Sequence, residues 1–223
     1  VTEALLFDFD GLLVDSESIA FQTWQEAYRE HGAELMVERW AAAIGTLGGF
    51  DPLAHLEESL GRAIDRETVE RTQREREHAL AAVQPFRPGV VDYLAEAKAR
   101  GLRVAIVSSS SNAWITRHLE RLETVDGWAC IVCANGDAAR AKPRPTLYLE
   151  ALDTLAVAPE DAIAFEDSPN GIAAARAAGI FCVAVPNSVT AQLDLSAADL
   201  LVESLEAIPL VELLRVVAER RAA

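Results

Sequence analysis

Apolar residues in this chain recur with two different periods, and the places where one gives way to the other divide it into parts. Leu5, Leu6 and Phe7 form a short continuous apolar run of the kind that makes a buried strand, and charge appears abruptly behind it at Asp8 and Asp10. From Glu17 to about Glu30 the pattern becomes helical, with Ile19, Ala20, Trp24 and Tyr28 three to four residues apart and acids and amides between them. A second helix is predicted through MVERWAAAIG, with Gly45 as its stop. A loop from Gly45 to Pro52 follows, then helical AHLEESLG and the charged helical stretch RETVERTQREREHALAA. No strand signal occurs between Asp15 and Val83, and an all-helical insertion of roughly 70 residues is too long for a connection. It reads as a smaller second domain over residues 16–86, with Pro85 to Val90 as the return linker.

From Gly89 onward helix and strand alternate in strict turn. VVDYLAEAKARG, SNAWITRHLERL, TLYLEALDTL and SPNGIAAARAAG are the helices; LRVAIVS, WACIVCA, DAIAFED and FCVAV are the strands, with one more near LLVES. This order predicts an α/β protein: a Rossmann-like, doubly wound parallel sheet with helices on both faces, formed by residues 1–15 and 87–223.

At 223 residues the chain can bury a sizeable core without disulfides. Three cysteines, an odd number, and a start with neither basic residues nor a long apolar segment make a cytoplasmic protein the expectation. No apolar run approaches the ~18 residues of a membrane span. The balance of 20 Lys plus Arg against 35 acids gives a formal net charge of −15, which argues against a nucleic-acid partner. It also repels anions at long range. A phosphorylated ligand therefore needs local compensation by a metal and a few cations, which screening over ~8 Å allows. A monomer or weak dimer is expected. Cys130 and Cys133 have redox spacing but sit in an apolar strand pattern, so they read as core. His31, His55, His78 and His118 show no ligand spacing and read as structural or surface, and Trp24 and Trp40 as helical core.

Four polar clusters sit just past apolar strands, where an open α/β sheet forms its ligand crevice. Asp8 and Asp10, followed by Gly11, fall on one side of extended backbone and suit a hard divalent cation, although an acidic turn ending a strand has the same composition. Ser108 to Ser111 can hold an anion at a helix N-terminus or simply cap it, with Asn112 as a second cap candidate. Lys142, before Pro143, is a site cation or a solvated surface residue, and Glu166 and Asp167 repeat the ambiguity of the first acidic pair.

Taken together these clusters resemble the four ordered motifs of the haloacid dehalogenase superfamily: DFDGLLVDS, the Ser108 end of AIVSSS, Lys142 in KPRP, and FEDSPNGIAAARAAG. The likeness extends from Leu5 to about Pro186 and is nearest to the phosphoglycolate phosphatase and β-phosphoglucomutase branch. It implies that the helical insertion is a cap, Asp8 a nucleophile that becomes an aspartyl-phosphate, and Asp10 an acid and then a base. It implies Mg²⁺ held by Asp8, the Asp10 backbone carbonyl and Asp167, with Glu166 supporting the metal or pairing with Lys142. Ser108, the Ser109 N–H and Lys142 would hold phosphoryl oxygens. The expected activity is a phosphatase acting on a small phosphorylated metabolite, a sugar phosphate or short organic phosphate. A mutase of the β-phosphoglucomutase type is the alternative, but the mutases' hinge histidine and cap-loop arginine have no counterpart in Ile19 to Phe21 or in GTLGGF. A receiver-type signalling domain would share the acidic site, yet the Asp8–Asp10 spacing and the insertion count against it. Substrate specificity is expected from the cap, from Gly45, Thr46, Leu47 and Gly48 and from the Arg71 and Arg74 region.

Overall fold

The computed structural model describes residues 1–222. Six strands, β1 (Ala4–Phe7), β2 (Arg103–Ser108), β3 (Cys130–Cys133), β4 (Ala162–Glu166), β5 (Phe181–Ala184) and β6 (Leu200–Leu201), form one sheet in the order β3-β2-β1-β4-β5-β6. Every neighbouring pair is parallel. Nine helices are described: α1 (Ser16–Glu30), α2 (Val37–Trp40), α3 (Pro52–Leu60), α4 (Arg66–Ala81), α5 (Val90–Ala99), α6 (Asn112–Arg121), α7 (Thr146–Leu155), α8 (Pro169–Ala177) and α9 (Leu210–Ala222).

The strands are apolar throughout because both faces are covered. Side-chain alternation sends Leu5, Phe7, Ile106 and Phe165 to the face packed by α5, α6 and α9. Ala4, Leu6, Ala105 and Ala164 go to the other face, under α7 and α8. The second face is lined with small residues, which lets the alanine-rich α8 lie close to the sheet. On the first face Phe7 stacks on Phe165 with ring centroids 4.7 Å apart. Each fully buried side chain of this size contributes roughly 1.5–3 kcal/mol of burial free energy.

Helices α1 to α4 gather a separate apolar cluster that includes Phe21, Trp24, Tyr28, Trp40 and Leu56, so Trp24 and Trp40 are core residues of the helical unit. Helix α2 is shorter than its alanines predict and ends at Trp40. Tight turns from Trp40 O to Ala43 N and from Ala41 O to Ile44 N replace it, because Ile44 has to be buried and Gly45 has to turn back with φ +71° toward the sheet. Cys133 is buried and Cys130 half-buried in β3, with no disulfide. No helix among the described residues is long and apolar enough to cross a membrane.

Candidate active site

The parallel sheet places the ends of β1, β2 and β4 side by side, at the point where the strand order reverses and ligands bind in this architecture. Asp8 follows β1 directly, with its N–H bonded to the Phe165 carbonyl at 3.0 Å. Ser108 ends β2 and Glu166 ends β4. Lys142 arrives from the segment between β3 and α7, and it is not the solvated surface lysine its position before a proline would allow: its side chain has no exposure. The Lys142 ammonium pairs with Asp8 Oδ1 and, at 2.7 Å, with Glu166 Oε1, and the Tyr148 hydroxyl also donates to Glu166 Oε1. Burial lowers the pKa of Lys142, but the two carboxylates more than offset this and keep the ammonium charged.

Asp8, Glu166 and Asp167 each offer an oxygen within 4.8 Å of the others. Three carboxylates face a single ammonium here. Burial first, and then the neighbouring acids, push Asp8 up to about 8 against the pull of Lys142, and burial with Asp8 and Glu17 raises Asp167 well above the carboxylate range. One oxygen of each, Asp8 Oδ2, Glu166 Oε2 and Asp167 Oδ1, is buried without a hydrogen-bond partner. An unpartnered buried carboxylate oxygen is costly, and three together fit the oxygen-ligand shell of a hard divalent cation. The other oxygen of Asp167 accepts a 2.7 Å bond from Asn187, which also reaches the Gly11 carbonyl at 3.3 Å. Asn187 comes just past the apolar strand β5, so the strand-end signal that marks the other clusters marks this one as well.

The Asp10 carboxylate does not belong to this group, which corrects the expectation that alternation along β1 would place it beside Asp8. The strand stops at Phe7 and the backbone turns through Gly11 at φ +85°. Asp10 instead accepts from Ser16 Oγ (2.7 Å) and Trp114 Nε1 (2.9 Å) on one oxygen, and from Ser110 Oγ (2.6 Å) and weakly from Ser108 Oγ (3.5 Å) on the other. The four serines have distinct tasks. Ser108 also accepts from the Ser110 N–H, Ser109 Oγ accepts from the Lys142 N–H at 3.2 Å, and Ser111 caps α6 by accepting from the Trp114 N–H. Asn112 is not the cap; its N–H donates to Asn135.

The helical unit reaches the site through the loop after α2. The Gly45 carbonyl accepts from Ser109 Oγ at 2.9 Å, Thr46 Oγ1 donates to the Lys142 carbonyl, and Asn170 donates to the Ile44 carbonyl at 2.8 Å. A Cβ at Gly45 would lie 2.3 Å from Ser168 Oγ, so that approach needs glycine. Leu47 borders a cavity of about 400 Å³ in front of Asp10, with Glu17, Glu77, His78 and Trp114 among its other walls. Gly48 is exposed and a Cβ there would meet nothing; it only turns the chain. Arg71 and Arg74 do not line the cavity, and Arg74 is paired with Glu70 at 2.6 Å. His78 is exposed, but it is also a wall of the cavity: one turn beyond Arg74 along α4 it packs against Trp114, 5.8 Å between ring centroids. His118 packs under the same indole at 4.5 Å. A larger groove of about 950 Å³ beside α5 contains none of Asp8, Asp10, Glu166 and Asp167.

Gly171 in α8 marks how tightly Glu166 is enclosed, since a Cβ there would fall 1.7 Å from Glu166 Oε2. Gly171→Ala is expected to destabilise the protein by about 1–3 kcal/mol through overpacking, a fall in Tm of roughly 3–10 °C for a chain of this size. Thermal unfolding measures it; a Tm within a degree of wild type would show that Glu166 has room the structure does not give it.

Sheet topology and site together define an α/β enzyme centre built from carboxylates, a buried lysine and serines. The chain belongs to the haloacid dehalogenase-like hydrolases, whose family model matches residues 5–185. It is 42% identical over 191 residues to the YhcW protein of Bacillus subtilis, covering 86% of each chain. It is 27% identical over 179 residues to the phosphorylated carbohydrates phosphatase of Thermotoga maritima, covering 80% of this chain and 82% of that one. Among solved structures it matches CbbY from Rhodobacter sphaeroides in complex with xylulose 1,5-bisphosphate, at 30% identity and TM-score 0.70, over 92% of this chain and 96% of that chain.

Proposed function

We propose that the chain is a Mg²⁺-dependent phosphatase that cleaves a small phosphorylated metabolite, a sugar phosphate or short organic phosphate, through a phosphorylated Asp8. The observation that carries this reading is Asp8 itself, buried at the sheet's switch point with one carboxylate oxygen on Lys142 and the other without a partner. The relative named for phosphorylated carbohydrates and the structure holding a sugar bisphosphate support the substrate class.

In the first step an Asp8 oxygen attacks phosphorus, the bond to the leaving alcohol breaks, and Asp10 protonates the departing oxygen. In the second, water attacks the same phosphorus, gives its proton to Asp10, and the bond to Asp8 breaks, releasing phosphate. Splitting one very slow hydrolysis into two displacements is the gain. Ser108, the Ser109 N–H and Lys142 bind the phosphoryl oxygens and stabilise the charge spread over them. The donors around Asp10 suit a group that must change protonation state. The Ser16 and Ser110 hydroxyls can donate or accept, whereas the Trp114 indole can only donate and holds its oxygen as the unprotonated one. Residues 16–86 act as the cap, and the Gly45–Thr46 contacts close it over Ser109 and Lys142.

Asp8, Asp167 and the Asp10 backbone carbonyl would hold Mg²⁺, with Glu166 behind them on Lys142. Bound there, the ion supplies positive charge against the crowded carboxylates and the phosphoryl group. Phosphate release is expected to stop in excess chelator and to return on adding Mg²⁺. Full activity in chelator would remove the metal from the proposal. The same ion should stabilise the fold, and more so at higher pH. The Asp8 carboxyl titrates near 3.8 when free and about 8 when folded, so stability linked to its proton is complete below about 4 and is lost as pH rises toward 8. Mg²⁺ replaces that proton, so saturating ion should raise Tm by about 5 °C at pH 8 and by less than about half of that at pH 5.5.

A further inference from the structure

If Asp8 takes the phosphate, the remainder of the substrate occupies the cavity in front of Asp10, and its walls decide what that remainder can be; the inference below rests on the phosphatase reading. Among the described residues no lysine or arginine lines this cavity. Lys142 is fully buried and committed to Asp8 and Glu166. Beyond Asp10, the walls carry two further carboxylates, Glu17 from α1 and Glu77 from α4. Glu77 is a built feature and not a loose surface acid. One of its oxygens accepts a 2.7 Å bond from the amide of Gln73, which is itself buried and donates at 3.1 Å to Thr23 Oγ1 on α1. That network fixes the carboxylate across two helices of the cap and leaves its other oxygen without a donor among the described residues. Burial raises the pKa of Glu77 against the pull of the Gln73 bond and of His78 and Arg74 nearby. Ala20, Leu47 and the Trp114 ring make the apolar part of the wall, Ser16 and Ser109 to Ser111 add hydroxyls on the side of Asp10, and His78 at the rim is the one lining side chain able to take a positive charge.

A second phosphate or a carboxylate on the substrate would be desolvated here against like charge, which is strongly unfavourable without a cation beside it. Hydroxyl groups would instead find acceptors, and an ammonium would find both acceptors and opposite charge. We propose that this cavity selects phosphate monoesters of polyols that carry no second anion, with an amine favoured over a hydroxyl, and that Glu77 and Glu17 are the specificity-determining residues. The CbbY structure holds a bisphosphate, so the two chains would differ in the part of the substrate remote from the reaction.

The test uses three ligands of one skeleton, glucosamine 6-phosphate, glucose 6-phosphate and glucose 1,6-bisphosphate, as competitors of p-nitrophenyl phosphate hydrolysis with Mg²⁺ present. Inhibition constants are expected to rise in that order, with the bisphosphate at least tenfold weaker than glucose 6-phosphate. Glu77→Lys should shift the ratio of bisphosphate to monophosphate affinity at least tenfold toward the bisphosphate. Should that variant not fold, Glu77→Gln serves: it is expected to cut the advantage of glucosamine 6-phosphate over glucose 6-phosphate at least threefold. Equal constants for the three ligands, or tighter binding of the bisphosphate by the wild type, would overturn the inference while leaving the phosphatase reading in place. An unchanged ratio in the folded Glu77 variants would overturn the assignment of Glu77. Failure to release phosphate from p-nitrophenyl phosphate or from any of the three would overturn the phosphatase reading itself, and the inference with it.

Discussion

Asp8→Asn is expected to leave less than about a hundredth of the wild-type rate of phosphate release in a protein that still folds. The amide has nearly the shape of the carboxylate, so the packing of this buried position changes little, but it cannot supply an anionic oxygen to attack phosphorus. The fold has a reason to tolerate the change. Asp8 is one of three carboxylates sharing one lysine, and replacing it removes a charge whose burial is only partly compensated. Rate and circular dichroism measured on the same preparation check both halves of the expectation. A well-folded variant that keeps a tenth of the wild-type rate would mean that the nucleophile is another group.

Lys142→Met should be damaging in a different way, to stability as well as to rate. The ammonium has no exposure and touches Asp8 and Glu166, and removing one partner of such a buried group typically costs about 3–5 kcal/mol. For a chain of this length that corresponds to a fall in Tm of roughly 10 °C. The deficit should depend on pH. Burial already raises Asp8, and without Lys142 its folded pKa rises further, so the folded state favours the protonated acid. The associated stability is present below the ordinary carboxylate range and is lost as pH climbs through the folded value. The gap between variant and wild type should therefore be wider at pH 8 than at pH 5. Thermal melts at both pH values test this, and a gap of under two degrees at pH 8 would show that Lys142 does not carry the buried carboxylates.

Much of this architecture is legible from local patterns, because a two-sided parallel sheet demands continuous apolar runs and each strand end reports itself by an abrupt change to polar residues. Asp8, Ser108, Glu166 and Asp167 all follow that rule, and the structure brings them to one edge, where Lys142 joins them from the segment between β3 and α7. The helical insertion is equally visible, since roughly seventy residues without a strand signal cannot be a connection. Within it, the alanines after Trp40 mislead, because helix propensity is a weak preference and the burial of Ile44 overrides it.

What remained hidden is everything that depends on which side chains meet across elements distant in the chain. Sequence spacing placed Asp8 and Asp10 together, but the turn at Gly11 and the donors Ser16, Ser110 and Trp114 separate their carboxylates. Trp114 carries no local sign of this, for its indole reaches a residue 104 positions away and looks in sequence like any aromatic on an amphipathic helix. Arg71 and Arg74 stand about two turns and one turn before Glu77 on α4 and look in sequence like equally good wall residues, yet the cavity meets this helix only at Glu77 and His78. The cluster of carboxylates and serine is thus written in strand ends, where local hydrophobicity and backbone geometry suffice. Which charges border the cavity is decided only when the helices of the insertion pack, because Arg74, Glu77 and His78 share one face of α4 and only the turn that carries Glu77 and His78 reaches it.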